Sequence, residues 1–264
     1  MKTAKSIAGL LLAAGIGLLA GCSSSPTGQG YGELKLNLID SPADYQQVNI
    51  VVSHVDAHIN GADSLNGWVT VNSTRTTYNL LQLINGANAI LGDVKLPAGK
   101  YTQLRLVFDT GSTIMVGGVT FPLQVSSSLQ SGLKLNNNFD ITAGQLYELT
   151  LDFNAAQSIN LTGGNQYKLN PVIRVEANVI SGTISGTIIP ALARAVVSTF
   201  DGTDSVITYA DTSTGEFQLV ALPAGAYAIN ITARDTLYAD TTINVLALAA
   251  QQNISLGTVT LRNR

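Results

Sequence analysis

The sequence predicts an all-β protein with two β-sandwich domains in tandem, which follow a lipoprotein signal peptide and a flexible tether. From Glu33 onward, apolar residues recur mostly with a period of two, the spacing of one face of a strand. Gly, Pro, Asn and Asp interrupt these runs at short intervals, as turns do between strands. The best helical fragment, Leu80 to Ile84, covers a turn or two at most, well short of the ~12 residues of a self-supporting helix.

The alternation is clearest in nine segments, which we predict to be strands. In the first of them, Leu34, Leu36 and Leu38 are expected to face a core. The segments are ELKLNLI, QVNIVVSHVDAHI, YTQLRLVF, LYELTLDF, YKLNPVIRVEANVI, VISGTISGTII, FQLVAL, AYAINITA and NISLGTVTL.

The N-terminus is typical of a secretory signal peptide. Lys2 and Lys5 precede an apolar stretch from Ile7 to Ala20 that is too short and too rich in Gly and Ala for a comfortable membrane span. The residues that complete this region, LAGC, resemble the lipobox of bacterial lipoproteins. The resemblance implies that residues 1–21 are removed and that Cys22 is acylated as the first residue of the mature chain.

Cys22 is the only cysteine of the chain, which leaves none for disulfides, metal thiolates or a cysteine nucleophile. Residues 22–30 are predicted to be the lipidated cysteine and a flexible tether, because Ser, Gly and Pro bury too little area to order themselves. Ser23 beside the lipobox cysteine implies sorting to the outer membrane of a bacterium that has one. We therefore expect a lipid-anchored protein of the bacterial outer membrane, facing the periplasm or the cell surface, held to the lipid bilayer through acylated Cys22.

The charge of the chain argues against nucleic acid as a partner. Fourteen Lys and Arg stand against 17 Asp and Glu, a formal net charge of -3, and no basic run occurs. Removal of two lysines with the signal peptide leaves 12 minus 17, or -5. Anionic head groups do not attract such an acidic module, so the acyl chains must supply the anchoring.

A domain boundary is predicted near Ile180, which gives domains at residues 31–180 and 181–264. The strands before it are long and carry most of the charge, whereas those after it are short and rich in Thr and Ala. One hexapeptide occurs in both parts, as LPAGKY from Leu96 and LPAGAY from Leu222. Because the flanking residues differ, we interpret it as a shared turn in which Pro and Gly suit the corner and Leu and Tyr close over the core.

Several motifs between Gly32 and Ala177 occur together in one known family. They are GELKLNLIDSPADYQQVNIVVSHVDAHI, GWVTV, NLLQLINGANAILGDVKLPAGKYTQLRLVF, SGLKLNNNFDI, LDFNAAQSI and YKLNPVIRV. In this order and spacing they resemble the bacterial lipoprotein domain of unknown function 4382. The resemblance implies an extracytoplasmic β-sandwich and assigns no activity.

A second set of motifs lies between Ser181 and Leu261. It comprises SGTISGTI as a first strand, DTSTGEFQLVALPAGAYAINITA as a central hairpin and NISLGTVTL as a last strand. These motifs are similar to the small transthyretin-like, or carboxypeptidase-regulatory-like, sandwich of the carbohydrate-binding-like fold. The resemblance implies a spacer, a display unit or a glycan binder, since one fold serves several functions.

The segment LVFDTGSTIMV, which contains Asp109, has the letters of the strand and turn that carry the catalytic aspartate of pepsin-like proteases. That chemistry needs two carboxylates about 3 Å apart that share one proton, and the motif at Asp211, DTSTG, is interrupted. An Asp/Gly turn between two apolar strands is also an ordinary hairpin. We therefore predict a hairpin turn and no catalytic residues, with an aspartic-type hydrolase through Asp109 as a remote alternative.

His54, Asp56 and His58 alternate along one predicted strand, so a single face would present all three. Imidazoles and a carboxylate can bind a divalent metal, but neighbours on one face of a strand are ~6.6–7 Å apart. We predict solvent-facing polar residues here, with no metal and no cofactor. The acidic segment from Asp201 to Ser205 lacks the later ligands of a calcium loop and is predicted to be a turn.

Four residues form the candidate ligand-binding set. Asp40, Asp44 and Tyr45 follow the first strand and combine two carboxylates with an aromatic ring; the alternative is an Asx-type turn with Tyr45 packed on the sandwich edge. Trp68 is either a platform for a sugar ring or the core tryptophan of a sandwich. A single exposed cleft shared by Asp40, Asp44 and Trp68 would favour ligand binding.

Taken together, the sequence predicts a non-enzymatic envelope module that binds a partner, with carbohydrate as the candidate ligand through analogy of fold. The chain contains no GxSxG nucleophile motif and no phosphate-binding loop. A glycan or an envelope protein is the expected partner besides the bilayer. The alternative is a structural or assembly component of the cell envelope.

Overall fold

The computed structural model describes residues 30–63, 65–164 and 166–264, and the predicted signal peptide and Cys22 lie outside them. Within these residues the chain forms strands in several sheets, joined by loops and short helical turns. The all-β prediction is confirmed. The predicted helical fragment near Leu80 is a single turn, Leu80–Gln82.

The strands are numbered in chain order. Those before residue 180 are β1 (Tyr31–Ser41), β2 (Gln47–Ile59), β3 (Trp68–Asn72), β4 (Thr76–Asn79), β5 (Ala89–Pro97), β6 (Gly99–Phe108), β7 (Thr113–Val116), β8 (Val119–Gln124), β9 (Leu133–Ile141), β10 (Leu146–Asn154), β11 (Ile159–Thr162), β12 (Gln166–Leu169) and β13 (Ile173–Ala177). Those after it are β14 (Ser181–Ile189), β15 (Val196–Phe200), β16 (Ser205–Tyr209), β17 (Glu216–Pro223), β18 (Gly225–Thr232), β19 (Thr241–Leu248) and β20 (Asn253–Thr260). The further helical turns are Ser127–Ser131, Ala155–Ser158, Asn178–Ile180 and Ala191–Ala193.

The first sandwich packs two sheets around one core. Its smaller sheet has the order β13-β10-β1-β5, and its larger sheet has the order β11-β12-β8-β7-β2-β6-β9, with β3 and β4 also paired to β2. Leu34, Leu36 and Leu38 of β1 are fully buried in this core, as the period-two pattern predicted. The alternate residues of β1, such as Asn37, lie on the opposite face of the smaller sheet.

The second sandwich is smaller and has its own core. One sheet has the order β17-β14-β20 and the other has the order β16-β15-β18-β19. Ile184 and Phe217 of the first of these sheets pack with Val197, Ile229 and Val245 of the other.

The two cores are separate along the chain. The first core ends with Ala177 and the second begins with Ile184, and the turn Asn178–Ile180 connects them. The domain boundary after residue 180 stays a prediction, which this separation supports.

The two hexapeptides form the same turn in the two sandwiches. LPAGKY joins β5 to β6 and LPAGAY joins β17 to β18, and in each case the two strands belong to different sheets. The Tyr101 hydroxyl donates to the Pro97 carbonyl oxygen at 2.9 Å, and the Tyr227 hydroxyl donates to the Pro223 carbonyl oxygen at 2.5 Å. A tyrosine corner of this kind fixes the point where the chain crosses between sheets. The predicted central hairpin of the second domain is therefore wrong, because β17 and β18 lie in opposite sheets.

Candidate functional site

An open groove lies where the two sandwiches meet, and we call it the interdomain groove. Its volume is about 650 Å³. The first sandwich contributes the segment after β1 and the turn that contains Leu81, and the second contributes the end of β16 and the segment after β18. The side chains that give the groove its chemistry are Asp44, Tyr45, Leu81, Ile84, Tyr209 and Arg234.

Asp44 connects the two walls of the interdomain groove. Its Oδ1 accepts hydrogen bonds from the Arg234 guanidinium at 2.6 Å and from the Tyr209 hydroxyl at 3.2 Å. The Arg234 guanidinium also lies 5.1 Å from the centroid of the Tyr209 ring, within reach of a cation–π interaction. Because Asp44 is 71% exposed and Arg234 43% exposed, this ion pair adds at most ~1 kcal/mol to stability. Asp44 and Arg234 can therefore replace this ion pair with contacts to a ligand at a small cost in free energy.

The two tyrosines supply aromatic surface and neutral hydroxyl groups. Burial raises the pKa of Tyr45, and the nearby Tyr167 and Asp44 raise it further. Burial also raises the pKa of Tyr209, with Asp44 adding to the effect. Both hydroxyls therefore stay protonated at neutral pH and can donate as well as accept hydrogen bonds. Rings with a polar tip suit ligands that have an apolar face and a polar edge.

Asp40 does not reach the interdomain groove. It is 5% exposed, its Oδ1 accepts a hydrogen bond from the backbone N–H of Ala155 at 3.0 Å, and its Oδ2 has no partner among the described residues. Burial raises the pKa of Asp40 well above its ordinary value, and the nearby Asp152 carboxylate raises it further. Asp40 lies in the interface between the sandwiches. Its position does not support the predicted role in ligand binding, which stays a prediction.

Trp68 lies far from the interdomain groove. It pairs with His58 near the end of β2, whereas Gln47 begins β2 two residues after Tyr45. The eleven steps between them (58 minus 47) correspond to ~36 Å along an extended strand. The four predicted ligand residues therefore do not share one cleft: Asp44 and Tyr45 come together, and Asp40 and Trp68 lie elsewhere.

Trp68 is also not the core tryptophan of the sandwich. Its neighbour Val69 packs against the core, so Trp68 lies on the outer face of the larger sheet, where it is half-buried. The Arg105 guanidinium lies 4.3 Å from the ring centroid, and the Lys134 ammonium lies 5.4 Å from it. Two cations therefore already contact this ring.

The prediction that the polar residues of β2 face solvent is wrong for Asp56 and His58, which lie beside Trp68 on the outer face of the larger sheet. Asp56 is 2% exposed and His58 is 7% exposed, so they are not solvent-facing. Arg105 donates to Asp56 Oδ2 through Nε at 2.9 Å and through Nη2 at 2.6 Å, and His54 Nε2 lies 2.9 Å from Asp56 Oδ1. Arg105 covers Asp56 and Trp68 packs against His58, whereas His54 stays 36% exposed. Period-two alternation alone does not indicate such cover.

The DTGS segment is not a hairpin turn, contrary to the prediction. Phe108 at the end of β6 pairs with Val52, and Thr113 at the start of β7 pairs with Asn49, so β6 and β7 follow each other along the same edge of β2. The segment between them is a short connection, and both strands run in the same direction along β2. The hairpin that reverses the chain joins β7 to β8 instead.

Asp109 faces a cation rather than a second carboxylate. Its Oδ2 accepts a hydrogen bond from Arg75 Nε at 2.7 Å, and its Oδ1 accepts one from the Thr110 backbone N–H at 2.7 Å. These hydrogen bonds lower the pKa of Asp109 below its ordinary value, the Arg75 contact having the larger effect. Ser112 of the same segment accepts a hydrogen bond from the Val51 backbone N–H at 3.0 Å. Asp109 and Ser112 therefore stabilise the connection between β6 and β7.

The sequence did not reveal a charged network that joins the two sandwiches. Arg174 of β13 contacts Asp152 of the first sandwich at 2.9 Å and Asp201 of the second at 3.2 Å, and it donates to the Ala221 carbonyl oxygen at 2.8 Å. Arg174 is 10% exposed, and Glu176 lies 3.4 Å from it. The one available signal was an arginine between apolar residues of a predicted strand.

Two carboxylates of this network, those of Asp152 and Glu176, have raised pKa values. Burial raises the pKa of Asp152 and of Glu176, and Arg174 opposes the shift in both cases. The Arg174 guanidinium thus pairs with three carboxylates at the junction of the sandwiches, those of Asp152, Glu176 and Asp201. The predicted turn from Asp201 to Ser205 is present, with Asp201 Oδ1 accepting hydrogen bonds from the Thr203 and Asp204 backbone N–H groups at 2.8 Å.

Two features are absent from the described residues. No group of three His, Cys, Asp or Glu side chains there could hold a metal ion. In the same part of the chain, no helix combines the length and the apolar character that a membrane crossing requires.

The fold and the groove define a class of protein: an all-β chain with two sandwiches and an open polar and aromatic groove at their junction. The chain belongs to the family described as Domain of unknown function (DUF4382), whose model matches residues 31–171. That match spans 141 of the 264 residues (171 minus 30), so it covers more than half of the chain. The predicted membership of the N-terminal part is confirmed, and the lipoprotein and transthyretin-like assignments stay predictions.

Comparison with solved structures found alignments of low similarity. The Bacillus anthracis TIE protein is 13% identical, with 89% of this chain and 34% of that chain covered and a TM-score of 0.24. GBS52, the minor pilin of Streptococcus agalactiae, is 9% identical, with 87% and 96% covered and a TM-score of 0.25. A putative adhesin from Bacteroides ovatus is 12% identical, with 94% and 99% covered and a TM-score of 0.24. The chain spans about a third of the TIE protein, and no curated protein matches it.

Proposed function

We propose that this chain is a lipid-anchored envelope protein that acts as a non-enzymatic binding module, with the interdomain groove as its site and a glycan as its ligand. One observation carries the proposal: Asp44 and Tyr45 line a single groove with Tyr209 and Arg234 of the second sandwich. Tyrosine rings offer an apolar face to a sugar ring, and carboxylate and guanidinium groups bind its hydroxyls. The volume of about 650 Å³ falls within the ~300–1,000 Å³ of ordinary ligand pockets.

A non-enzymatic role is supported by the environment of Asp109. The aspartic-protease mechanism needs a second carboxylate that shares a proton with the first. The Arg75 guanidinium occupies the position beside Asp109 and keeps its carboxylate ionised.

The position of the groove relative to the predicted anchor also supports the proposal. The tether enters β1 at Tyr31, whereas the groove begins just after Ser41 at the other end of this strand. The ten steps between these residues (41 minus 31) span ~33 Å. A lipid on Cys22 would hold the end of the first sandwich that is remote from the groove, which leaves the groove open to the envelope space.

Glycan-array screening of the full chain in detergent tests the proposal. The wild-type protein should bind at least one glycan, and Tyr45→Ala should weaken that binding at least tenfold, because it removes one of the two aromatic surfaces. Tyr31→Ala is the matched control, since Tyr31 is a 61% exposed tyrosine at the remote end of β1. Absence of any glycan ligand, or equal binding by Tyr45→Ala and wild type, would contradict glycan binding in the groove.

The anchor has its own test, since Cys22 lies outside the described residues. Growth of the source bacterium with a palmitate analogue should label the wild-type chain and should not label Cys22→Ser. Persistent labelling of the Cys22→Ser chain would show that the lipid is attached elsewhere and would remove the lipobox assignment.

A further inference from the structure

A second opening lies at the junction of the sandwiches, and we call it the amide cleft. Its volume is about 250 Å³, and it shares no lining residue with the interdomain groove. Asn37 of β1 and Thr150 of β10 are register partners and form its floor on the outer face of the smaller sheet. The second sandwich forms the facing wall, where Thr183 of β14 pairs with Asn253 of β20.

The polar lining of the amide cleft is uncharged. The side chains around it, as far as the structure describes them, include neither a charged group nor an aromatic ring. Ile39, Val220 and Ala221 add a small apolar area. The polar groups are the amides of Asn37, Asn88, Asn178 and Asn253 and the hydroxyls of Thr150, Ser181 and Thr183.

Asn37 is the residue that points to a ligand. Its neighbours Leu36 and Leu38 face the core, so its side chain projects from the other face of the sheet, into the cleft. It is 9% exposed, and within the described chain its amide makes no hydrogen bond to another residue. Buried amides in proteins are nearly always hydrogen-bonded. The Asn37 amide atoms are not among the sealed, unpartnered atoms of the described residues, so they stay accessible from the cleft and a ligand there can supply these hydrogen bonds.

The other amides complete the arrangement. Asn178 is held in place because its Oδ1 accepts a hydrogen bond from the Thr150 hydroxyl at 2.7 Å. Asn88 and Asn253 lie at the exposed rim, and their side chains make no hydrogen bond within the part of the chain that the structure describes. Each free amide offers two N–H donors and one carbonyl acceptor.

We propose that the amide cleft is a second binding site, which takes one uncharged, N-acetylated sugar unit of a glycan chain. A charged ligand would lose its hydration there without gaining a counter-charge. Hydroxyl and amide groups match the lining, and the apolar area of Ile39, Val220 and Ala221 suits the acetyl methyl group. A volume of about 250 Å³ lies just below the ~300 Å³ where pockets for drug-sized ligands begin, which suits a single ring. The proposal does not depend on the interdomain groove, whose residues are different.

Isothermal titration of the full chain in detergent with N,N′,N″-triacetylchitotriose, a neutral trimer of N-acetylglucosamine, tests the proposal. The wild-type protein should bind the trimer, and the double variant Asn88→Ala/Asn253→Ala should bind it at least tenfold more weakly. Both substituted side chains are exposed, so this variant should fold. Asn160→Ala, at an exposed asparagine of β11 outside the cleft, should bind like the wild type. A trimer of galacturonic acid should not bind, because it is charged.

The outcomes separate the two sites. If Tyr45→Ala abolishes trimer binding and Asn88→Ala/Asn253→Ala leaves it unchanged, the ligand occupies the interdomain groove and the proposal for the amide cleft is overturned. Absence of trimer binding by the wild type, or equal binding of the charged trimer, overturns it as well. Loss of binding in Asn88→Ala/Asn253→Ala alone supports the cleft even if every glycan-array result for the groove is negative.

Discussion

Asp40 lies in an environment that is unfavourable for an ionised carboxylate. Its Oδ2 is buried without a partner, and the Thr208 hydroxyl oxygen is in the same situation. Both residues line a cavity of about 10 Å³ between the two sandwiches, together with Asp152. A buried carboxylate without a counter-charge favours its protonated form. The interface therefore binds a proton at Asp40 more tightly than the unfolded chain does.

The substitution Asp40→Asn should stabilise the protein at neutral pH. Because the pKa of Asp40 is raised in the folded state, its contribution to stability is present below its unfolded pKa of ~3.9 and is lost as pH rises through the folded value. Asparagine keeps an acceptor for the Ala155 N–H and carries no charge, so we expect a gain of about 1–2 kcal/mol at pH 7. Thermal unfolding of both proteins at pH 7 and pH 3.5 measures it, and the difference should shrink at the lower pH.

Asp211 provides the control for this experiment. It is an exposed turn carboxylate whose pKa is lowered by hydrogen bonds from the Thr214 and Ser213 backbone N–H groups. Asp211→Asn should give no gain at pH 7. Equal stability of Asp40→Asn and wild type at both pH values would show that the buried carboxylate carries no cost.

At the residue scale, the sequence located functional chemistry only in part. It singled out Asp44 and Tyr45 because a turn with a carboxylate and an aromatic ring followed a clear strand. It did not indicate Tyr209 or Arg234. Tyr209 lies 164 positions after Tyr45 (209 minus 45), and Arg234 lies 190 positions after Asp44 (234 minus 44). Their approach depends on how the two sandwiches dock, which no local pattern encodes. The burial of Asp40 has the same origin.

At the scale of the element, the two tyrosine corners show how a short motif specifies a structure. Each places a tyrosine ring in a core and returns its hydroxyl to the carbonyl oxygen of the corner proline, four residues earlier in the chain. The sequence predicted the turn correctly because Pro, Gly and the flanking apolar residues are local signals. It could not tell a turn within a sheet from a turn between sheets, since both leave the same alternation in the flanking strands.

Removal of the corner hydroxyls should destabilise the two sandwiches individually. Tyr101→Phe and Tyr227→Phe each leave a partly buried proline carbonyl oxygen without its donor, which should cost about 1 kcal/mol. Since the two cores are separate, Tyr101→Phe should act on the first sandwich and Tyr227→Phe on the second. Hydrogen exchange of core amides in each sandwich measures the effect.

Tyr31→Phe is the matched control for the corners, because Tyr31 is exposed. It should leave exchange in both sandwiches unchanged. Unchanged exchange in Tyr101→Phe and Tyr227→Phe would mean that the corner hydrogen bonds contribute nothing to stability.

Two other elements show the limits of alternation. The predicted strand YKLNPVIRVEANVI is divided into β12 and β13, with Pro171, which has no N–H for a ladder, in the gap between them. The DTGS segment has turn-forming residues, yet Asp109 and Ser112 satisfy the backbone of β2 and Arg75 while the chain continues in the same direction. Turn chemistry predicts a local change in the backbone, and the partner strand decides whether the chain reverses.

At the scale of the whole molecule, the junction is the feature that unites the observations. Arg174, which is 10% exposed, links carboxylates of both sandwiches, and the exposed Asp44 links the walls of the interdomain groove. The amide cleft opens at the same junction between other residues. Neither opening exists in one sandwich alone, so the proposed binding function belongs to the pair.

The most direct test of this account is a double-mutant cycle on the affinity for the best ligand of the glycan array, with Tyr45→Ala from the first sandwich and Tyr209→Ala from the second. Both rings line the same groove, so each variant alone should weaken binding at least tenfold, and the double variant should lose less than the sum of the two free-energy changes. Full affinity in Tyr209→Ala, or strictly additive losses, would contradict the claim that both sandwiches build one binding site.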